Sequence, residues 1–302
     1  MSTSVWPPID EAELRVKENE STARELEWLL DSLQETLLSL KAGLEECYAL
    51  LAPIEPGSTL VMSSPRSESV KGVVTRVGTQ IVKGSLHLRL KTFPHTHLVL
   101  STDNPLTIRS LSSLRSLLNE ALDCVDVTRW TGDRHSAAFI SGQLRLLHSI
   151  IIEAKSTLKG PILAPPQNSS DRGQAPDTEW CNAPPPPDAF TPVLPPNLSL
   201  AISVSDASLI LTLRVLESAT AVPNLGSRFA YAIGAQRRLE HDEMDDVFTY
   251  HGEEVRVKEK VKVESGDPNM ISAMIKLAAL EHTVAIARNC LATVMGEEDD
   301  DE

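Results

Sequence analysis

The sequence predicts an α+β protein: an elongated two-lobe molecule with an antiparallel four-helix bundle, containing both terminal helices, beside a β lobe of mainly antiparallel sheet. Three observations carry that expectation. A leucine seam runs from Leu26 to Leu51 near the start of the chain. The apolar period then changes from about 3.5 residues to 2 and back again, twice, as helices and strands demand. A proline-rich stretch separates the two rounds.

The seam comes first. Leu26, Leu33, Leu40 and Cys47 recur every seven residues, as do Leu30, Leu37, Leu44 and Leu51. Interleaved, they step by four and three, which is the a/d pattern of a helix about 40 Å long. With Leu30 at an a position, the e sites hold Glu27, Gln34, Lys41 and Tyr48, and the g sites hold Leu29, Thr36, Gly43 and Leu50. A parallel zipper sets complementary charges at these sites. Here one flank is apolar or small, which widens the stripe toward the face of a bundle helix. Intramolecular packing is favoured over a homodimer. The helix is expected to begin between Asp10 and Ser21 and to stop at Pro53, Pro56 and Gly57.

Alternation follows. Ser63 to Ser69 reads as a polar loop, Val70 to Val77 as a strand, Gly78-Thr79 as a turn, and Gln80 to Lys91 as a strand in which Leu86, Leu88 and Leu90 alternate with His87 and Arg89. His95 to Ser101 completes a meander. After Pro105, Leu111, Leu114, Leu118, Ala121 (or Leu122) and Val125 return to helical spacing. Beyond a break at Thr131-Gly132-Asp133, a second helix carries Ala137, Ile140, Leu144, Leu147, Ile151, Ala154 and Leu158. Gly160 to Pro196 holds eleven of the 20 prolines and reads as a disordered linker. Leu198 to Val204 and Ser208 to Leu216 form a hairpin, and Pro223 to Thr249 has no assignable period. Val255, Val257, Val261 and Val263 then alternate with Arg256, Lys258, Lys260 and Lys262, a strand with a basic face. Asp267 is placed to cap a last helix with Pro268 in its first turn, and that helix carries Met270, Met274, Leu277, Leu280, Val284, Ala287, Leu291 and Val294. The expected helical lobe is thus discontinuous (10–56, 105–159, 267–296), as is the β lobe (68–102, 197–264), with linker 160–196 and an acidic tail 297–302. The two strand blocks are expected to meet as one sheet.

Composition narrows the function. The formal charge is −14 over 302 residues, but six of those charges lie in the terminal Glu297–Glu302 run, and nothing marks a nucleic-acid binder. Without eighteen consecutive apolar residues or a signal-like start, neither a membrane span nor secretion is expected. Cys47, Cys124, Cys181 and Cys290 share no short spacing and read as reduced thiols of a cytosolic protein. The sequons at Asn168 and Asn197 are expected to be silent. His95 and His97 lack a third metal ligand and read as a loop or sheet-edge pair. Asp242, Glu243, Asp245 and Asp246 lack calcium-loop spacing and read as a solvated acidic turn. No phosphate loop, nucleophile elbow or zinc motif occurs. No catalytic residue, cofactor or metal is expected. The basic residues Arg256, Lys258, Lys260 and Lys262 are the candidate partner-binding face, with an ordinary solvated face as the plainer reading.

Four blocks in order carry a resemblance: Glu25-Leu-Glu-Trp-Leu-Leu30; Val70-Lys-Gly-Val-Val-Thr75 followed by Leu86-His-Leu-Arg-Leu90; Leu194-Pro-Pro-Asn-Leu198; and the Val255–Val263 strand running into the last helix. Together, from about Glu25 to Val294, they resemble the Rogdi family of leucine-zipper-containing proteins. The proline-rich insertion and acidic tail depart from the animal form and suggest a fungal-type member. The resemblance implies a helical-bundle lobe beside a β lobe. It also implies a non-catalytic subunit of the RAVE complex, which promotes assembly of the vacuolar proton-pumping ATPase. The implied partners are a large β-propeller-containing scaffold subunit and, directly or through it, the ATPase. Such a subunit would be a monomer within the complex, recruited from the cytoplasm to vacuolar or endosomal membranes only through partners. The alternative is a homodimeric coiled-coil scaffold or trafficking adaptor.

Overall fold

The computed structural model describes residues 10–160, 179–219, 241–244 and 246–296. The expected leading segment, most of the linker, the 223–240 stretch, the Asn168 sequon, Asp245 and the acidic tail lie outside the described residues. The described chain is α+β, with two antiparallel sheets. By contact it divides into two compact units. One comprises Met1–Ala49, Arg115–Lys155 and Ile275–Glu302; the other comprises Leu50–Leu114 and Ser156–Met274.

The first unit is helical. Helix α1 (Glu11–Leu50) opens with Glu11 and Glu13, which complement the positive helix terminus. Residues 11–25 are exposed; the seam is half-buried at Leu26 and buried from Leu30 onward through Leu33, Leu37, Leu40, Leu44 and Cys47. Helices α2 (Arg109–Asp126) and α3 (Ala137–Lys159) are joined by a π-helical turn over Val127–Thr131. There Gly132 leaves room for the Phe139 ring, whose Cε1 would lie 2.0 Å from an added Cβ. The last helix crosses from the second unit; it is introduced below as α5.

The second unit holds both sheets. Sheet 1 has strands β1 (Ser58–Ser63), β2 (Val70–Val77), β3 (Gln80–Leu88), β4 (Thr96–Leu100), β5 (Leu106–Thr107) and β6 (Phe190–Thr191), ordered β1-β2-β3-β4-β6 with β5 on β3. Sheet 2 has β7 (Leu198–Ser205), β8 (Ser208–Ser218), β9 (Val247–Tyr250) and β10 (Glu253–Gly266), ordered β7-β8-β10-β9. Val74, Ile81, Leu86, Leu98, Leu100 and Phe190 of sheet 1 share one apolar interior with Leu200, Ile202 and Leu211 of sheet 2.

Three expectations are corrected here. The strand blocks form two sheets rather than one: β8 is flanked on both sides by β7 and β10, and its first nine residues, Ser208–Leu216, are buried on both faces. Ser58–Ser63, between the expected end of the first helix and the expected polar loop, is a strand, with Leu60 and Met62 inward and Val61 outward. Residues 179–196, assigned to the linker, are built into the unit. A short helix α4 (Glu179–Asn182) buries Trp180, and Phe190 and Thr191 extend sheet 1 by pairing with Leu100 and Val99. The prolines of this segment flank the ordered pieces, and its Trp and Phe supply the apolar area a linker lacks.

Helix α5 (Pro268–Met295) starts as its cap residues predict. Asp267 Oδ1 accepts from the backbone N–H of Asn269 at 2.9 Å and Met270 at 3.4 Å. By length and composition α5 could cross a membrane. A core helix meets the same test, and its stripe Met270, Ala273, Leu277, Leu280, Val284, Ala287 and Leu291 is buried.

Candidate functional site

In the first unit the side chains tie helices in pairs. Lys41 Nζ of α1 bridges Asp126 of α2 at 2.7 Å, and Arg115 of α2 donates to Tyr48 Oη of α1 at 2.7 Å with its guanidinium 5.1 Å from that ring. Burial aside, the Arg115 hydrogen bond and charge hold the Tyr48 phenol below its ordinary value. Cys124 of α2 meets Gln143 of α3 at 3.4 Å, and α3 joins α5 through Lys155–Glu281 and through His148–Arg288 at 2.7 Å. Lys276 of α5 reaches Glu46 of α1. A Cβ added at Gly43 would lie 2.6 Å from Leu280 Cδ2, so the small g residue admits a side chain of α5. Burial pushes the Cys47 thiol, near the end of the seam, up to about 11, with Lys276 opposing.

In the second unit one β-bulge reorganises the basic stripe. Val257 pairs with Leu216 but Glu259 pairs with Val215, so Lys258 is the extra residue. Side chains on either side of the bulge therefore exchange faces. Val255 and Val257 pack with Trp180, Phe248 and Tyr250, whereas Val263 falls with Leu211 on the inter-sheet side. The stripe that looked continuous does not lie on one face. Arg256 falls on one side, Lys258 sits at the bulge, and Lys260 and Lys262 lie on the other. Lys258 meets Glu217 only at 3.9 Å, and Lys260 is engaged as described next. Among the described residues no ionic partner is found for Arg256 or Lys262, both exposed.

The bulge also turns Glu259 inward. Its carboxylate accepts from the backbone N–H of Lys91 at 3.0 Å and of Thr92 at 2.8 Å, and from Thr92 Oγ1 at 2.8 Å. A buried carboxylate with three donors is satisfied without a cation.

On the opposite face Arg214 and Lys260 are direct cross-strand neighbours, a repulsive placement alone. Glu243 resolves it. Its two oxygens take Arg214 Nε and Nη2, each at 2.7 Å, and Oε1 also takes Lys260 Nζ at 2.7 Å. Asp242 holds the same ammonium at 2.7 Å, and the Arg214 guanidinium lies 4.6 Å from the Trp180 ring centre. Burial pushes the Glu243 carboxyl up, but the hydrogen bonds and charges of Arg214 and Lys260 outweigh it and leave the group below its ordinary value; Asp242 is lowered by the same balance with Lys260. The expected solvated acidic turn is thus corrected: Glu243 is buried and fastens its turn to sheet 2. No spacing rule could have revealed that pairing, because Arg214 reads as one polar break in an apolar strand.

The histidines are also rearranged. His97 stacks on cross-strand His87, with ring centres 4.0 Å apart and planes within 1°, and its Nε2 lies 2.8 Å from Ser85 Oγ. His95 precedes the strand and is exposed. Among the described residues no group of three or more His, Cys, Asp or Glu is placed to hold a metal ion. At the start of α5, Arg76 Nε donates to Asp267 Oδ2 at 2.6 Å, with Arg76 Nη1 on the Gly78 carbonyl and both side chains within 2% of full burial.

These clusters define an α+β protein whose named charges serve largely to fasten its own segments. The model of the Rogdi leucine zipper containing protein family matches residues 25–292, and the chain belongs to that family. It is also 26% identical, over 86% of its own length and 90% of the relative's, to "Regulator of V-ATPase in vacuolar membrane protein 2" of Schizosaccharomyces pombe.

Proposed function

We propose that this chain is a regulatory subunit for the vacuolar proton-pumping ATPase, acting by binding and not by catalysis. The observation that carries the reading is the similarity to a protein named as regulator of that ATPase, spread over nearly the whole of both chains. In the finer form of the proposal the chain is a subunit of a RAVE-type complex that promotes reassembly of the pump. It engages a large β-propeller-containing scaffold subunit and reaches vacuolar or endosomal membranes through that partner.

The proposal includes a structural part. The helical lobe (10–56, 105–159, 267–296) closes as an antiparallel four-helix bundle, and the Leu26–Leu51 seam packs within one chain. Burial of Leu30 through Cys47 inside a single copy supports this, as do the pairings of α1 with α2, α2 with α3, α3 with α5 and α5 with α1. A homodimeric zipper would need that stripe uncovered. Arg256 and Lys262, for which no ionic partner is found among the described residues, remain the candidates for electrostatic contact with a partner.

The test is vacuolar pH in cells from which the chain is depleted and then restored. The proposal expects an alkaline shift on depletion and recovery on restoration. An unchanged, fully acidic vacuole after depletion would overturn it.

A further inference from the structure

The outer face of sheet 1, turned away from the shared interior, is unlike the rest of this acidic chain. Its central row crosses the whole sheet in register: Val61 opposite Val73, Val73 opposite Ser85, Ser85 opposite Val99, and Val99 opposite Thr191. The three valines are 62%, 43% and 40% exposed, where β-branched residues ordinarily turn inward. Adjacent strands lie about 4.8 Å apart, so the row from Val61 to Val99 is about 14 Å long. One neighbouring row carries Lys71 and the stacked His87–His97 pair, and the other carries Thr75 and Lys83. Arg89 follows at the end of β3.

Charge says what this face accepts. The six strands of sheet 1 contain no Asp or Glu, in a chain with 42 of them. Lys71, Lys83 and Arg89 are exposed and, among the described residues, no carboxylate pairs with them. An apolar centre with Lys71 on one side, Lys83 on the other and Arg89 just past the end of β3 has the anatomy of a protein interface core with a charged rim. A membrane fits less well. The face presents no Trp, Tyr, Phe or Leu to insert, and three cations contribute only about 1 kcal/mol each at an anionic surface.

We propose that the outer face of sheet 1 is a docking site for an acidic, aliphatic segment of a partner protein, its apolar side chains on Val61, Val73 and Val99 and its carboxylates on Lys71, Lys83 and Arg89. The inference does not rest on the pump reading: a segment of this chemistry is required whichever protein supplies it.

The test places a photo-activated benzophenone amino acid at position 73 in the full chain, expressed in its own cells, and sequences the crosslinked peptides. The expected product is a peptide of another protein with net negative charge and aliphatic residues. Its yield should fall about tenfold in the Lys71→Glu, Lys83→Glu background, because reversing rim charges opposes the encounter. A benzophenone at Ile152 on α3, 42% exposed, serves as control, and its products should not respond to the lysine changes. Crosslinks at position 73 that are indifferent to the lysines would overturn the proposal. So would crosslinks to lipid, to a second copy of this chain, or to nothing.

Discussion

Replacing Asp267 by asparagine separates two jobs that one buried carboxylate performs. Asparagine caps helices about as well as aspartate, so the hydrogen bonds to Asn269 and Met270 should survive in Asp267→Asn. The charge opposite Arg76 does not. With the two side chains 2% and 0% exposed, the guanidinium is left in the interior with the Gly78 carbonyl as its remaining partner. Removing one member of a buried pair costs about 3–5 kcal/mol, and Asp267→Ala should add about 1 kcal/mol for the lost cap. The converse change, Arg76→Met, leaves the carboxylate on two backbone N–H groups at a helix N-terminus. That end of the dipole offsets up to about 2 kcal/mol, so a loss of about 1–3 kcal/mol is expected. The double variant Arg76→Met, Asp267→Asn buries no charge and should be more stable than Asp267→Asn alone. Urea unfolding followed by far-UV circular dichroism reads the series. At slopes of about 1–3 kcal/mol/M, a 3 kcal/mol loss moves the midpoint by about 1 M or more. An Asp267→Asn midpoint indistinguishable from wild type, or a double variant weaker than either single change, would refute the reasoning.

Three further outcomes are expected. Leu37→Ala, at a site 1% exposed, should cost about 2–5 kcal/mol in the same assay, and Leu33→Asp with Leu40→Asp should unfold the helical unit. Light scattering showing instead that the double change converts a dimer into a folded monomer would favour the zipper. Because the folded Glu243 carboxyl lies below its ordinary 4.5, its stabilising contribution is complete above that pH and is lost as the pH falls through the depressed value. Glu243→Gln should therefore flatten the acid limb of stability measured from neutral pH to about 3; an unchanged limb would contradict the Arg214–Lys260 latch. Cys47 stands the other way, its neutral thiol favoured below 9.0 and that contribution lost as pH rises through about 11. With a thiol reagent at neutral pH, exposed Cys290 should label in the native chain, and buried Cys47 and Cys124 only on unfolding; native labelling of Cys47 would contradict its burial.

Most elements were legible because period alone decides them. The α1 seam, the β2 strand over Val70–Val77, and the Asp267–Pro268 start of α5 are set by residues within a turn or two of each other. What escaped was long-range or depended on a single irregularity. The bulge at Lys258 is marked in the sequence only by Glu259 standing where the alternation calls for another valine, yet it divides the basic stripe between two faces and buries Glu259. Trp180 and Phe190 were masked by the prolines around them. Glu243 looked solvated because its partner Arg214 lies 29 residues away, a single charge within a largely apolar strand. The same blindness hid the outer face of sheet 1, whose valine row exists only once strands are in register.

The most direct test of the account is affinity purification of the tagged chain from its own cells, with mass spectrometry of its companions. The expected companions are a large β-propeller-containing scaffold together with peripheral subunits of the vacuolar proton-pumping ATPase. Recovery of the chain only with itself, at twice its mass, would contradict it and return the leucine seam to the role of a zipper.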